Sequence, residues 1–437
     1  MTFLRAGAWM GASALVAASL LAGGPKPADA QVGRRPTAPA TEVSENLIPQ
    51  SLTDLGKSLG DQGIYFSMSY VGIGQGNVSG GNQRSAIFAG EFTIGTTLDL
   101  QKLAGIPGGS LHITFDERSG NSISHFVGTN FGLTENHGPN NVIRLANFYY
   151  EQALFHDRVD LTFGRTNPTA DFATSAISCQ FLSNIFCAQP GIWYFGLNSN
   201  EPYPQSTWGG RANFQITPEI YLRAGGYQND PTQVNGQGFT WRWDTGTGAF
   251  IPYEIGYQTL FSSARYPTKV DAGGYYDTST YVPPGAALAT KKGRTAYWVQ
   301  GQQVVWRPDP ATQQSLTVFG GAMIQGHGSA PYWGEYYAGV YDQAPFPSRP
   351  ADTVGVIGAY LPLNQAVSPF SKEWIFEVNY GFSLFPGVTL KPAVQYVVHP
   401  DQIGFSPQRK VNNAIVVGAQ FSVNFGALAG FPQFVPY

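Results

Sequence analysis

The amino-acid sequence predicts an all-β fold: a 16-stranded antiparallel outer-membrane β-barrel with short periplasmic turns, long extracellular loops and a short N-terminal helix. Three observations favour this fold. Charged residues are 12% of the chain, about half the ~25% that is usual in soluble domains. Apolar and polar side chains alternate with a period of two from residue 63 onward. Short turns also alternate with long connections rich in Gly, Pro, Asn and Ser, a separation that a β-sandwich does not require.

The composition of the 437 residues excludes several other classes of protein. Aromatic residues reach 14%, whereas disordered chains are poor in aromatic residues and rich in charge. The 53 glycines follow no fixed period, which excludes a collagen-like chain. The net charge is -3, from 25 basic and 28 acidic residues. Because no basic excess exists to bind phosphates, nucleic acid is not an expected partner.

The first 30 residues have the pattern of a signal peptide. Arg5 precedes a small and apolar run from Ala6 to Gly24, and Ala28–Ala30 gives the small-x-small motif for cleavage near Ala30. An uncleaved anchor is the alternative, which Pro25 and Pro27 disfavour. No later apolar run approaches the ~20 residues of a helical span. We therefore expect an exported chain that is either soluble or a β-barrel.

Residues 31–62 are expected to form a periplasmic leader that ends in a short amphipathic helix. The first part is rich in Pro, Ala, Thr and Arg. From Leu47 to Gly60 the leucines Leu52, Leu55 and Leu59 continue at near-helical spacing. We expect this helix to pack at one mouth of the barrel.

Residues 63–425 are predicted to form the barrel, and residues 426–437 a C-terminal tail. Alternation is clearest in Trp374–Phe382 and Ile415–Phe425. The sixteen predicted strands are Gly63–Ile73, Ile87–Leu100, Ser110–Ser119, Val142–Leu154, Val159–Thr166, Thr207–Ile216, Glu219–Tyr227, Ala249–Gln258, Pro267–Asp277, Arg294–Trp306, Gln314–Met323, Glu335–Gln343, Asp352–Tyr360, Glu373–Leu384, Val388–Val398 and Asn413–Phe425. Several middle strands are weakly patterned, and their placement rests partly on a family resemblance of the chain.

The alternation also predicts which side chains face the lumen. The bilayer midplane penalises a charged side chain by roughly 2–4 kcal/mol, so the apolar face must point to lipid. The polar face carries Glu91, Asp99, Asp116, Arg118, Arg211, Arg223 and Glu377. Arg165 shares its face with Leu161 and Phe163, which predicts a bulge near Gly164 or a position above the apolar band. Aromatic residues at strand ends are expected in the interfacial girdles, namely Trp208, Tyr227, Trp306, Trp374 and Tyr396.

Two cysteines, Cys179 and Cys187, lie eight residues apart in a loop-like stretch. Export to an oxidising compartment favours a disulfide between them, and free thiols are the alternative.

The sequence carries no pattern typical of an enzyme. Its six histidines show no i, i+4 pairing, and HExxH, CxxC, G-x-S-x-G and Walker motifs are absent. Adjacent carboxyl groups such as Asp116 and Glu117 point to opposite faces of a strand and cannot act together on a glycosidic bond. We therefore expect no catalysis, no metal and no cofactor.

Several blocks of the chain resemble the OprB-type carbohydrate-selective porins. The blocks are IPGGSLHITFDERSG (106–120), NFYYEQALFHDRVDLTFGR (147–165), LTFGRTNPTADFATSAISCQFLSNIFC (161–187), NEPYPQSTWGGRANFQITPEIYLRAGGYQNDP (200–231) and EVNYGFSLFPGVTLKPAVQYVVHP (377–400). The resemblance implies a sixteen-stranded barrel whose third extracellular loop, here Thr166–Ser206, folds inward to narrow the pore. It also implies passive, selective diffusion of glucose-like monosaccharides.

Hydroxyls and C–H faces of a sugar match charged and aromatic side chains. The candidate constriction residues are Arg165, Asp171 and Phe172 at the loop base and Arg118, Asp116, Glu91 and Arg211 on the facing wall. A disulfide would stiffen the loop. The expected partners are small sugars, outer-membrane lipid and the barrel-assembly machinery, and the chain is expected to be a monomer or a homotrimer.

Two alternatives remain open, namely a porin for other small solutes such as organic anions and a structural or adhesive barrel. One departure from the family is the tail after Phe425, because many barrels end on a terminal aromatic residue of the last strand.

Overall fold

The computed structural model describes residues 48–434 except 139–140, 176, 178, 188, 192, 194–202, 233–235, 287 and 327. The predicted signal peptide, its cleavage site and most of the leader lie outside these residues. The described chain forms a closed barrel of sixteen antiparallel strands in which each strand pairs with its sequence neighbours, and the first strand pairs with the last. The predicted fold class is confirmed.

The barrel strands are β1–β5 and β8–β18, and two short strands lie inside a loop. The barrel strands are β1 Ile64–Ser79, β2 Ser85–Asp99, β3 Gly109–Gly120, β4 Val142–Leu154, β5 Val159–Thr166, β8 Thr207–Gln215, β9 Ile220–Asn229, β10 Gly248–Gln258, β11 Thr268–Tyr281, β12 Lys291–Trp306, β13 Ser315–Gln325, β14 Gly334–Gln343, β15 Thr353–Pro362, β16 Lys372–Phe385, β17 Val388–Val398 and β18 Ala414–Asn424. The loop strands are β6 Phe186–Cys187 and β7 Gln189–Pro190. The helices are α1 Gln50–Asp61, α2 Leu100–Ala104, α3 Ser124–Val127 and α4 Phe425–Leu428.

The prediction that the last strand extends to Phe425 was wrong. Strand β18 ends at Asn424, whose side chain accepts a hydrogen bond from the amide of Ala427 and caps helix α4. An Asn cap satisfies an amide that would otherwise be unpaired, so a helical turn replaces the end of the strand. The tail therefore continues as ordered chain beyond the barrel.

Two rims differ in the length of their connections. The rim at which β1 begins and β18 ends has short connections, such as 155–158, 216–219 and 386–387. The opposite rim has long ones, including 121–141, 167–206 and 230–247. We call these the short-turn rim and the long-loop rim.

The two faces of the strands differ as an outward apolar face requires. Phe66, Ile94, Phe376 and Val417 are among many large apolar side chains exposed on the outside. The prediction that Tyr227 lies in an interfacial girdle was wrong. Its ring is buried in the lumen against Phe172.

Helix α1 lies within the predicted leader, at the rim where β1 begins, and it packs through its glycines. Gly56 and Gly60 are buried, whereas Leu52 and Leu55 are exposed. The small residues allow close approach of neighbouring chain, which the leucines do not. Within the described residues, no helix is both long enough and apolar enough to cross a bilayer.

Candidate functional site

The connection between β5 and β8 spans residues 167–206, and we call it the inner loop. Its described residues lie against inward-facing side chains of the barrel. The predicted disulfide between Cys179 and Cys187 is confirmed within it. Cys187 belongs to the small β6–β7 hairpin. The bridge and the hairpin together fix the tip of the inner loop.

Polar side chains of the barrel wall bind the backbone of the inner loop. Glu377 accepts hydrogen bonds from the amides of Leu182 and Ser183, at 2.7 and 2.9 Å. Lys391 donates to the carbonyl oxygen of Gln180 at 2.9 Å. Buried backbone groups need such partners, because an unpaired one costs free energy. Side chains of the barrel wall therefore replace the hydrogen bonds that bulk water would give to the backbone of an exposed loop.

The same arrangement continues around the barrel on β9, β10 and β11. The Glu254 carboxylate accepts from the amide of Ala173 at 2.6 Å. Arg223 donates to the carbonyl oxygen of Asp171, and Lys269 to that of Thr174. We call Arg223, Glu254, Lys269, Glu377, Asn379 and Lys391 the loop-bearing wall.

Aromatic packing holds the inner loop on this side. Trp193 is fully buried, and its ring lies 5.6 Å from Phe250, 5.4 Å from Tyr275 and 5.1 Å from Trp298. Aromatic pairs at these separations stabilise beyond their buried area. The loop is thus part of the interior of the barrel.

A second loop, residues 121–141, also folds inward, which sequence reasoning missed. The carbonyl oxygen of Leu133 accepts from Gln75 on β1 and Gln395 on β17. Its Glu135 amide donates to the Leu182 carbonyl oxygen at 2.8 Å. This second loop braces the inner loop, and its apolar residues Ile123, Val127, Phe131 and Leu133 were the available signal.

The first charged group lies on β2 and β3. Arg118 contacts Glu91 at 3.0 Å and Asp116 at 3.7 Å. The Tyr203 hydroxyl of the inner loop donates to Asp116 at 3.2 Å. Burial, followed by the neighbouring carboxylates of Asp116 and Glu91, raises the pKa of Tyr203 well above its ordinary value. This hydroxyl therefore stays protonated and keeps donating.

The second charged group is centred on Arg211 of β8. Its guanidinium lies 2.7 Å from Asp171, 2.8 Å from Asp160 and 3.4 Å from Glu151. Asp160 keeps 25% of its side chain exposed, and Glu151 13%. We call Glu91, Asp116, Arg118, Glu151, Asp160, Asp171 and Arg211 the charged wall.

Five of the seven predicted constriction residues belong to this charged wall, namely Glu91, Asp116, Arg118, Asp171 and Arg211. The structure does not place the other two with them. Phe172 is fully buried, with its ring against Tyr227 and 5.9 Å from the Arg223 guanidinium. A buried ring offers no face to a solute, so Phe172 supports the loop instead.

Arg165 lies apart from the charged wall. Its guanidinium donates to the carbonyl oxygens of Thr240 and Ser206, at 2.7 and 2.8 Å. Strand β5 pairs on both sides without a register shift, so the predicted bulge near Gly164 is absent.

The connection 230–247 covers Arg165 from outside. Within it, Trp241 packs against Phe148 and Trp208, and Phe239 against the outward-facing Phe115. A side chain on the lipid-facing side of a strand can keep its charge here because loop carbonyl groups accept its hydrogen bonds.

One group of metal-binding residue types comes together within the described ranges, Glu135 with Cys179 and Cys187. Both sulfurs belong to the disulfide. A disulfide sulfur is not the thiolate that binds metals, so this group gives no metal site.

Comparisons with known proteins agree with this geometry. The model of the family described as "Carbohydrate-selective porin, OprB family" matches residues 83–425. Porin B of Pseudomonas aeruginosa is 24% identical, over 88% of this chain and 94% of that protein. The putative porin QuiX of Acinetobacter baylyi is 24% identical, over 84% of this chain and 91% of its own.

The solved structure of Pseudomonas putida OprB at high pH has the same fold. Its TM-score is 0.78 at 23% identity, and the match covers 84% of this chain and 96% of that one. The family match covers well over half of the sequence and confirms the resemblance. The chain therefore belongs to the OprB family of carbohydrate-selective porins and is a sugar porin of the outer membrane.

Proposed function

We propose that monosaccharides diffuse through the barrel along the charged wall rather than along the loop-bearing wall. One observation carries this proposal. Arg211 and Asp160 keep 8% and 25% of their side chains exposed, while Arg223 on the adjacent strand β9 and its partner Glu254 keep 1% or less. A solute that follows the charged wall meets exposed donors of Arg118 and Arg211 and exposed acceptors of Glu151 and Asp160.

The chemistry of this wall suits a neutral polyol. Each sugar hydroxyl both donates and accepts, so guanidinium and carboxylate groups can bind it in turn. The charged groups are already paired with one another, as in Arg211 with Asp171. A hydroxyl can only share these hydrogen bonds, which keeps binding weak enough for release.

The sign of the charges disfavours organic anions. The charged wall has five carboxyl groups against the two guanidinium groups of Arg118 and Arg211. An anion would meet an excess of carboxyl groups, whereas a neutral sugar carries no charge to repel. This excess of carboxyl groups supports sugars, rather than organic anions, as the preferred solutes.

We further infer that the chain is not an enzyme, that its first 30 residues are removed near Ala30, and that the barrel-assembly machinery inserts it among outer-membrane lipids. Its relatives are porins. Monomer and homotrimer are both compatible with the outward apolar faces.

Swelling of liposomes that contain the purified protein tests the proposed function. Monosaccharides should permeate faster than amino acids and organic anions of similar size, and glucose should block ion current in planar bilayers. Equal permeation of all these solutes would remove the selectivity. A barrel without any conductance would leave only a structural or adhesive role.

A further inference from the structure

The chain after the last strand stays at the short-turn rim, where β18 ends, and packs on helix α1. The Thr53 hydroxyl of α1 donates to the carbonyl oxygen of Ala429 at 2.9 Å. Residues beyond 425 and the whole of α1 lie outside the segment matched by the family model.

Two buried glycines of α1 form the contact surface for the tail. A Cβ atom added at Gly56 would lie 2.3 Å from the ring of Phe431, and one added at Gly60 would lie 2.5 Å from Pro432. Glycine costs about 0.5–1 kcal/mol relative to Ala inside a helix. The two positions make room for the tail, which explains why the helix packs through its glycines.

The tail then places Phe434 against the inner face of the barrel. Its ring lies 5.4 Å from the Tyr65 ring and 6.0 Å from His112, both edge-on. Tyr65 shares its strand face with the inward Gln75. On this inner face the Thr97 hydroxyl lies 3.1 Å from a ring nitrogen of His112.

His112 connects this position to the charged wall. Its other ring nitrogen lies 2.9 Å from Glu151, and Glu151 lies 3.4 Å from Arg211. The His112 ring also stacks on Tyr149 at 4.7 Å. Phe434 therefore lies where the charged wall reaches the short-turn rim.

We propose that the tail and helix α1 form a second constriction at the short-turn rim, with Phe434 as the side chain that sets its width. The inference rests on the proposed function, because it concerns the exit of the same pathway. Solutes that have passed the inner loop would then meet an aromatic ring beside Tyr65 and Tyr149. The ring is buried, so it narrows this exit by occupying space beside Tyr65 and His112, which excludes bulkier solutes.

Two variants open this constriction by different routes. Phe434→Ala removes the ring, and Gly56→Leu places a side chain where Phe431 packs and so displaces the tail without changing it. Each should raise single-channel conductance in KCl by roughly 1.5-fold and should speed permeation of disaccharides more than that of monosaccharides.

Matched controls separate this effect from general damage. Phe385→Ala removes an exposed phenylalanine near the same rim, and Leu55→Ala removes an exposed leucine of the same helix. Both should keep the wild-type conductance, and heat-modifiable mobility on gels checks that every variant is a folded barrel.

Wild-type conductance and wild-type sugar cutoff in folded Phe434→Ala and Gly56→Leu would overturn the second constriction. The KCl readout does not depend on sugar selectivity. A wild-type protein that conducts ions without favouring sugars would instead contradict the proposed function and leave this inference to be decided by conductance.

Discussion

The charged wall and the loop-bearing wall contain the same kinds of side chain but give them different partners. On the loop-bearing wall, Glu377 and Lys391 bind the backbone of the inner loop. On the charged wall, Arg118 and Arg211 bind mostly carboxylate side chains, and Arg118 also donates to the Gly138 carbonyl oxygen at 3.3 Å. Inward charge alone therefore does not identify a solute-binding residue. The partner does, because a side chain fixed by buried loop backbone is not available to a solute.

The largest expected effect comes from releasing the inner loop. Glu377→Ala removes the acceptor of two buried amides, and each unsatisfied amide costs about 1–3 kcal/mol. The barrel should persist because its strand ladder does not involve this carboxylate. We expect single-channel conductance to rise at least about twofold, with passage of larger sugars in liposome swelling.

Glu377→Gln is the matched control, since its amide oxygen still accepts a hydrogen bond and the variant should fall between wild type and Glu377→Ala. An unchanged conductance in folded Glu377→Ala would show that the loop-bearing wall does not hold the loop.

A smaller opening is expected when the disulfide is removed. Cys179→Ser frees the tip of the inner loop while the contacts of Glu377 and Lys391 remain. Closing a loop of this length is worth about 2–3 kcal/mol in the chain-entropy model. The size cutoff for sugars should loosen while heat-modifiable mobility stays that of the wild type. Wild-type exclusion of disaccharides in this variant would mean that the tip is held without the bridge.

Changing the charged wall should alter selectivity more than pore size. Arg118→Ala leaves Glu91 and Asp116 without their cation. The reversal potential in a KCl gradient should shift toward cation selectivity, and glucose block should weaken by roughly threefold to tenfold, as for the loss of one hydrogen bond of ordinary net strength.

Arg242→Ala provides the comparison, because Arg242 forms an exposed ion pair with Asp244 in a loop. If both arginine variants changed glucose block equally, the charged wall would have no special role in sugar passage.

The smallest effect on transport is expected from Arg165. Arg165→Ala removes hydrogen bonds to Ser206 and Thr240, so the connection 230–247 should exchange its amide hydrogens faster. Glucose block should stay within about twofold of wild type because Arg165 donates to the loop carbonyl oxygens of Thr240 and Ser206, which are not part of the charged wall. A loss of block as large as that of Arg118→Ala would return Arg165 to the pathway.

Residue parity predicted much of this site and failed where loops intervene. Glu91, Asp116, Arg118 and Arg211 face the lumen because alternate residues of an unbroken strand share one face. Tyr227 shares the parity of Arg223, yet its place at a strand end suggested a girdle. Only the inner loop packed against it shows why an aromatic ring faces inward there.

The sequence by itself determined the closed barrel, because a two-residue period with low charge is satisfied in a membrane only by strands without free edges. It also indicated the family and favoured the disulfide, which the structure then established. Only the tertiary structure shows which inward charges bind loops and where Phe434 lies. It alone also shows that the connection 230–247 covers Arg165. These contacts join residues far apart in the chain, through loops and a tail that have no periodic pattern, so local spacing carries no information about them.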